Sequence, residues 1–527
     1  MVGKRFVDIL DTTLRDGAQT RGVSFSMQDK VSIALRLDEI GVSYIEGGWP
    51  GSNPKDQEFF RAIKNYSLKN SEIVAFGSTR KKGISTREDE ILNTLVKSEV
   101  KTAVIFGKSW TLHVEKVFRS TLEENLNMIE ETVRYLKNNG MRVLYDAEHF
   151  FDGYKEDPKY ALSTLKAAEN GGASTLILCD TNGGSLPLEV GSIIRTTKKA
   201  LKTPFGIHTH NDGGCAVANT LVAIAEGATQ FHGTVNGLGE RCGNVDICQV
   251  IPALEHKMGL RCLKGAGENL RGLTALSKYV YELANQRPSD SQPYVGRNAF
   301  SHKGGVHIDA MLKTPRTYEH LEPSIVGNTR EFMVSELSGR SGIISKASEI
   351  GLTLEKQSPA VDDILAEVKR LEAKGHHLEN ATASLHLIIM KHLGLDIQPF
   401  VVTNWISTTN LKSGAMSAAE VDVKVGSKKY HEIGEGVGPV HALDLALRRA
   451  LLKSFPDLKD TKLLNYKVTV VDSGTGTASE VRVFIEFSHN KTLWATTALS
   501  ENILEASCKA LIEGYTYRLV ANRLPKH

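Results

Sequence analysis

Along the first 240 residues, the pattern of hydrophobic and polar positions changes repeatedly between two types, one typical of strands and one typical of helices. Short runs rich in β-branched and aromatic residues predict strands, and longer stretches with apolar residues at helical spacing predict helices. Clear helical stretches occupy residues 29–40, 122–139 and 160–170. Eight runs predict strands: residues 7–13, 43–49, 73–78, 101–107, 142–149, 174–181, 205–211 and 230–238.

Eightfold strand–helix alternation favours an α/β fold, a parallel (β/α)8 TIM barrel with an outer ring of helices, over residues 1–270. The alternative is an open, doubly wound sheet. That fold favours a glycine-rich turn after its first strand, and the sequence after residue 13 has none.

Beyond the barrel the pattern changes twice. A turn-rich link at 282–296 leads into a run with two histidines beside a glycine pair, at 300–309, and then into helical segments at 341–350 and 361–374. We therefore predict a helical linker subdomain over residues 271–395 that contributes to the active site.

Residues 396–527 predict an α+β regulatory domain of two β-β-β-α units. Strand-like runs at 401–407 and 419–425 precede a helix at 441–453, and a similar order recurs at 466–471, 481–487 and 502–517, with Ser500 as a plausible N-cap. Glycines 434, 436 and 438 could cradle a phosphate. The favoured interpretation is a turn that lets a helix N-terminus approach a small anion or a neighbouring backbone.

Composition changes this picture little. Hydrophobic residues make up 41% and charged residues 24%, as in ordinary globular proteins, and the net charge of +3 indicates neither nucleic acid nor an anionic membrane as partner. No run of about 18 apolar residues predicts a membrane span. The six cysteines form no Cys-x-x-Cys pair, and the start of the chain has no apolar signal region, so we expect a reduced, cytoplasmic protein.

The candidate chemistry begins with His208 and His210. Residues two apart on a strand point to the same face, so both imidazoles can reach one divalent metal and leave positions open for a substrate. The ordinary alternative is a pair of half-buried histidines with hydrogen-bond partners. The run from Asp11 to Asp16, at the end of the first predicted strand, favours the metal.

Further polar residues lie at C-terminal strand ends, the face where barrel enzymes carry their chemistry. A single charged residue after a strand is usually only a solvated loop residue, but a set spread over most of the strands is harder to explain that way. The set comprises Arg15, Asp16, Glu46, Arg80, Glu148, Thr181, His208, His210, Glu240, Arg241 and Asn244.

The motif Asp11-x-Thr-Leu-Arg-Asp16 with His208-x-His210 resembles the DRE-TIM metallolyase group, and within it the Claisen-condensing isopropylmalate, homocitrate and citramalate synthases. The resemblance covers essentially the whole chain, including the amino-acid-sensing C-terminal domain of such enzymes. Runs at 46–56 and 300–307, and Trp494 ahead of 502–507, are similar to the citramalate branch in particular.

The resemblance implies a divalent-metal site for zinc, manganese or magnesium. Asp16, His208 and His210 are similar to the three main ligands of the family, and Asn244 matches a position that can complete the coordination sphere.

The resemblance also implies catalytic and substrate-binding roles. Arg15 matches an arginine that steadies developing negative charge, Glu148 and His307 match residues for proton transfer, and Tyr318 resembles a tyrosine that often comes from the partner subunit. The implied substrate contacts are Arg15, Glu46, Arg80 and Thr181. The family usually has serine two residues before the glutamate, where this chain has Asp146.

The implied reaction condenses acetyl-CoA with pyruvate and hydrolyses the thioester to (R)-citramalate and CoA, the first step of the pyruvate route to isoleucine. The implied form is a homodimer inhibited by isoleucine. A 2-isopropylmalate synthase, which takes a larger oxo acid, is the alternative. A lyase such as hydroxymethylglutaryl-CoA lyase conflicts with the C-terminal repeat, and a non-catalytic amino-acid-sensing regulatory protein conflicts with the intact set of site residues.

Overall fold

The computed structural model describes residues 5–265, 269–334, 339–410, 416–471, 476, 479–490 and 492–521. The chain forms two compact units. The first comprises Met1–Phe300 and Glu322–Thr329, and the second comprises Ser301–Leu321 and Arg330–His527. The three-domain division at residues 270 and 395 stays a prediction.

In the first unit, eight parallel strands close into a barrel in chain order, with β1 paired to β8. The predicted barrel is thereby confirmed. The strands are β1 (Asp8–Asp11), β2 (Tyr44–Gly48), β3 (Glu72–Ser78), β4 (Thr102–Lys108), β5 (Arg142–Glu148), β6 (Thr175–Asp180), β7 (Phe205–Thr209) and β8 (Gln230–Gly233).

Ten helices accompany these strands within the described part of the first unit. Their starts follow local rules: Ser26 and Asp29 form a capping box at the first helix, and Pro158 occupies the first turn of the sixth. The helices are α1 (Met27–Ile40), α2 (Pro54–Ile63), α3 (Glu90–Lys97), α4 (Leu122–Asn138), α5 (Phe150–Glu156), α6 (Pro158–Gly171), α7 (Pro187–Thr197), α8 (Ala216–Ala225), α9 (Ile247–Pro252) and α10 (Leu273–Leu283).

Six of the eight strands end earlier than the sequence predicts, whereas β3 ends at the predicted residue and β4 ends one residue later. The segment predicted to run to residue 238 leaves β8 at Gly233 and enters a short 3-10 turn, in which Asn236 has a φ of 63°. Some residues predicted as strand ends, such as Thr181 and His210, are therefore loop residues, whereas Glu148 and His208 lie in their predicted strands.

The second unit begins with two short parallel strands, β9 (Ser301–His302) and β10 (Glu331–Phe332), and four helices. The helices are α11 (Gly305–Lys313), α12 (Arg340–Glu349), α13 (Pro359–Ala373) and α14 (Thr382–His392). Helices α12, α13 and α14 share a core that includes Ile343, Ile364, Leu385 and Ile389.

The two predicted β-β-β-α units are confirmed. Each is a three-stranded antiparallel sheet followed by a helix, and both helices pack into one hydrophobic core. The first contains β11 (Val401–Asn410), β12 (Met416–Val425), β13 (Lys428–Gly436) and α15 (Pro439–Leu452). The second contains β14 (Lys462–Val470), β15 (Val481–His489), β16 (Thr492–Ser500) and α16 (Ile503–Ala521).

The predicted turn at the glycines needs correction. Gly434 and Gly436 belong to β13, and a Cβ on Gly434 would lie 2.3 Å from the carbonyl oxygen of Ala442. These glycines therefore let the backbone of α15 pack closely on its own sheet. Among the described helices, none is both long and apolar enough to cross a membrane.

Candidate active site

Asp16, His208 and His210 converge at the C-terminal end of the barrel. Asp16 lies in the turn after β1, His208 lies in β7, and His210 follows it. One potential ligand atom from each lies within 4.8 Å of the others, and all three residues are buried. Asp16 Oδ2 is 3.4 Å from His208 Nε2, and Asn244 Nδ2 donates to the same oxygen at 2.9 Å.

Several buried polar atoms of this group have no hydrogen-bond partner within the described residues: Nδ1 of His208, Nδ1 of His210 and Oδ1 of Asn244. Buried polar atoms are normally paired, so these atoms fit a site that binds a cation. Gly239 permits the arrangement, because a Cβ there would lie 2.0 Å from Asn244 Oδ1. Two imidazoles, one carboxylate and an amide oxygen together suit a divalent transition metal or magnesium.

The electrostatics favour the metal-binding forms of Asp16 and His210, whereas the contact with Asp16 outweighs burial and raises the pKa of His208. Burial favours the neutral acid at Asp16, but the charge of Arg15 and the contact with His208 hold the pKa of Asp16 well below its usual range. Burial, with the neighbouring His208, lowers the pKa of His210 to about 4. Near neutral pH, Asp16 is therefore an anion and His210 a neutral imidazole, the forms that bind metals.

Arg15 is held between a carboxylate and an aromatic ring. Its Nε donates to Glu46 Oε2 at 2.7 Å, and its guanidinium carbon lies 3.7 Å from the centroid of the Phe76 ring. Its Nη1 lies 3.7 Å from Asp16 Oδ2. Glu46 is fully buried and is not among the residues lining the adjacent cavity, so the structure places this predicted substrate contact behind Arg15.

Beside these residues lies a cavity of about 220 Å³. Four further predicted residues reach it, Glu148, Thr181, Glu240 and Arg241. Glu148 forms an ion pair with Lys108, and the hydroxyl oxygen of Thr181 accepts the backbone N–H of His149 at 2.9 Å. The lining residues are Arg15, Asp16, Gln19, Phe76, Phe106, Asp146, Glu148, Cys179, Thr181, His208, His210, Glu240 and Arg241.

The structure does not bring Arg80 to this cavity. Its Nε donates to Glu131 at 2.6 Å and its Nη1 donates to Glu124 at 2.8 Å, and both carboxylates belong to α4. These two contacts occupy the guanidinium, so its position does not match the predicted substrate contact.

His307 and Tyr318 belong to the second unit. Both are exposed, and their rings stack with centroids 4.1 Å apart. Their roles in catalysis stay predictions.

Sequence reasoning missed Asp146 and His232 as members of this group. Asp146 Oδ1 lies 3.7 Å from His232 Nδ1, and with His208 they form a second cluster of potential metal ligands. Burial raises the pKa of Asp146 to about 7. One signal was present: Asp146 lies two residues before Glu148, on the same face of β5. His232 lies inside β8 and had no comparable motif.

Comparison with known proteins agrees with this geometry. Residues 6–280 match the HMGL-like family, residues 294–376 match the homocitrate synthase post-HMGL domain-like family, and residues 379–519 match the LeuA allosteric (dimerisation) domain. The (R)-citramalate synthase of Geobacter sulfurreducens is 49% identical over 516 residues, which cover 97% of each chain. The chain belongs to the (R)-citramalate synthase family. The family member from Sulfolobus acidocaldarius is 47% identical over 99% of this chain and 98% of its own.

Similarity to a second branch is lower. The 2-isopropylmalate synthase of Methanocaldococcus jannaschii is 31% identical over 98% of this chain and 95% of its own. The predicted resemblance to Claisen-condensing synthases, and to the (R)-citramalate synthase family among them, is confirmed.

Proposed function

We propose that this chain is an acyltransferase that condenses acetyl-CoA with pyruvate and hydrolyses the thioester to give (R)-citramalate and CoA. The supporting observation is the convergence of Asp16, His208 and His210 beside Arg15 at one cavity, in a chain that belongs to the (R)-citramalate synthase family. The 2-oxo acid would occupy the cavity, with the acetyl group above it.

Asp16, His208 and His210 would hold the divalent ion, zinc, manganese or magnesium, with Asn244 Oδ1 as a further ligand. When bound, the ion supplies a Lewis acid for the keto group of the 2-oxo acid. Arg15 would stabilise the negative charge that develops on the reacting oxygen, and it is suited to this because Glu46 and Phe76 fix its guanidinium in a buried setting.

Thr181 and Glu148 would contact the reactants directly. The Thr181 oxygen already accepts a backbone N–H, so its own hydrogen is free to point at the substrate carboxylate. Glu148, held by Lys108, would take part in moving the proton from the methyl group of acetyl-CoA. His307 and Tyr318 would complete the proton transfers, Tyr318 from the partner subunit.

The C-terminal unit would regulate this reaction. The match to the LeuA allosteric (dimerisation) domain supports a homodimer, and we propose isoleucine as the inhibitor, bound between the paired β-β-β-α units. Exposed apolar side chains support the pairing: Ile406 and Ile433 are each registered opposite Glu420, so they share one face of the first sheet. We propose a cytoplasmic location.

CoA release with pyruvate, 2-oxoisovalerate and 2-oxoglutarate, offered separately with acetyl-CoA, tests the proposal. We expect release with pyruvate well above release with the other two, and citramalate as the product. Preference for 2-oxoisovalerate would identify a 2-isopropylmalate synthase. No release with any oxo acid, after metal is restored, would instead support the non-catalytic sensing protein.

A further inference from the structure

Arg241 lies between β8 and α9, and its side chain bonds to the loops after β6 and β7. Its Nε donates to Asp212 Oδ1 at 2.8 Å and its Nη2 donates to Asp212 Oδ2 at 3.0 Å, so the planar guanidinium and the carboxylate pair through two hydrogen bonds. The same Nη2 donates to the backbone oxygen of Thr181 at 2.8 Å. Asp212 lies in the loop after β7, and Thr181 directly follows β6. We call these three hydrogen bonds the Arg241 clamp.

The loops joined by the Arg241 clamp carry groups of the candidate active site. His210 lies two residues before Asp212, and Asn244 lies three residues after Arg241. Their backbones also meet, because His210 and Asn244 form an isolated antiparallel bridge. The third loop contributes Thr181, whose side chain lines the cavity. A displacement of these loops therefore moves two candidate metal ligands and one proposed substrate contact.

The backbone of these loops adopts conformations that need support. Arg241 has a φ of 55°, in the left-handed region that disfavours any residue with a Cβ. Gly183, with a φ of 63°, lies so close to the β7 loop that a Cβ there would be 2.6 Å from Asp212 Oδ2 and 2.9 Å from the carbonyl carbon of His210. A left-handed residue other than glycine persists only where its surroundings hold it, and the clamp supplies contacts that do so.

The exposure of the pair limits its effect on global stability. The side chains of Arg241 and Asp212 are 42% and 25% exposed, and solvent screens an ion pair with that exposure. Arg241 nevertheless lines the same cavity as His208 and His210. Its Nε and Nη2 are already used by the clamp, so a substrate carboxylate would have to compete with Asp212 for them. The main effect of the pair is therefore expected on the geometry of the loops.

We propose that Arg241 is a positioning residue for the candidate metal site and for the 2-oxo acid. Through Asp212 it fixes the loop that carries His210, and through its own loop it fixes Asn244. Through the backbone oxygen of Thr181 it fixes the hydroxyl group of that residue. The effect on the 2-oxo acid rests on the proposed function, whereas the effect on the ion rests only on the geometry of the candidate ligands.

Titration of the metal-free, full-length protein with Mn²⁺ separates position from charge. Removal of a nearby positive charge favours a bound cation, so charge alone predicts that Arg241→Gln binds Mn²⁺ more tightly and that Asp212→Asn binds it more weakly. Loss of the clamp predicts weaker binding by both variants. We expect both to lose about tenfold or more in Mn²⁺ affinity, as when a group that orients metal ligands is removed.

Three further variants sharpen this test. Arg241→Lys keeps the charge but lacks the planar fork, so we expect the same loss as in Arg241→Gln, whereas charge alone predicts wild-type affinity. The double variant of Arg241→Gln and Asp212→Asn should bind no more weakly than the weaker single variant, because either substitution already removes the paired bonds. Arg195→Gln is the matched control. Arg195 pairs with Glu226 at 2.7 Å, is 55% exposed and lies outside the cavity, so its loss should leave Mn²⁺ affinity unchanged.

CoA release at saturating Mn²⁺ measures the effect on the 2-oxo acid. In Arg241→Gln we expect the KM for pyruvate to rise about tenfold or more, with the KM for acetyl-CoA near that of wild type, because Thr181 is displaced. Unchanged or tighter Mn²⁺ binding by Arg241→Gln would overturn the proposal. Unchanged Mn²⁺ affinity with a raised KM for pyruvate would mean that Arg241 contacts the substrate itself. A wild type that binds Mn²⁺ but releases no CoA would refute the proposed reaction, and the Mn²⁺ titrations would still decide whether the clamp positions the ligands.

Discussion

Asp16 has three neighbours that compete for its carboxylate: Arg15, His208 and the amide of Asn244. A buried carboxylate with three such contacts is expected at a site where a bound cation balances part of the carboxylate's negative charge. The Nδ1 atoms of His208 and His210, which are buried and have no partner within the described residues, agree with this, because an unpaired polar atom is costly in a protein interior.

His210→Ala should lower bound-metal content and abolish turnover, because one of three strong ligands is lost. Metal analysis of dialysed protein and CoA release measure the two effects. His256→Ala, an exposed histidine outside the cavity, serves as the control and should retain both. Wild-type activity in His210→Ala after exhaustive chelation would show that His210 is not a ligand.

Arg15→Lys should leave metal content intact and reduce kcat by about a hundredfold or more, since lysine keeps the charge but lacks the planar fork. Arg80→Lys is the matched control. The structure places Arg80 against Glu124 and Glu131, so we expect a loss of stability but only a small change in kcat/KM. An equally large loss of kcat/KM in Arg80→Lys would mean that Arg80 contacts the substrate.

At the scale of elements, hydrophobic periodicity predicted the barrel because strands and surface helices show different hydrophobic patterns along the chain. Helix α14 was not predicted, and its burial explains why. Seven of its eleven residues are buried, so no single apolar stripe marks it.

The site was predicted where a motif places residues on one face, as with His208 and His210. His232 was missed, because its contact with Asp146 joins distant strands.

The stability of the protein should depend on pH through Glu513, which lies at the contact between α14 and α16. The pKa of Glu513 is about 7 when folded, against 4.5 for an ordinary glutamate. The unfolded chain therefore loses its proton first, so stability falls as the pH rises from about 4.5 to 7 and stays lower above that. Glu513→Gln removes this effect and should raise the stability of the unliganded protein at pH 8 by on the order of 2 kcal/mol, with little gain at pH 4.5.

Thermal unfolding of wild type, Glu513→Gln and Glu505→Gln at the two pH values measures this effect. The difference in Tm between Glu513→Gln and wild type should grow with pH, whereas Glu505→Gln should follow wild type. A difference that is the same at both pH values would contradict the raised pKa.

At the scale of the whole molecule, regulation depends on how the second unit is built. Helix α14 packs on β16 and α16, and α12 to α14 share their own core. Residues 330–395 of the predicted linker therefore belong to the same compact unit as the C-terminal repeat, whereas residues 271–300 and 322–329 belong to the first unit. Truncation before about residue 399 should abolish inhibition by isoleucine, because an effector acts only through its binding site. The cut also exposes the apolar face of α14, so reduced solubility or activity is expected as well.

A full-length variant tests the same dependence without removing any element. Ile433→Lys places a charge on the exposed face of the first sheet, where Ile433 is 45% exposed. We expect a shift from dimer towards monomer in sedimentation and a loss of isoleucine inhibition. Lys429→Ala, on the same strand and face, is the control and should remain an isoleucine-sensitive dimer. Titration of wild type with isoleucine and leucine separately then identifies the effector. Inhibition by leucine alone would favour a 2-isopropylmalate synthase, and an Ile433→Lys dimer with full isoleucine inhibition would place the interface elsewhere.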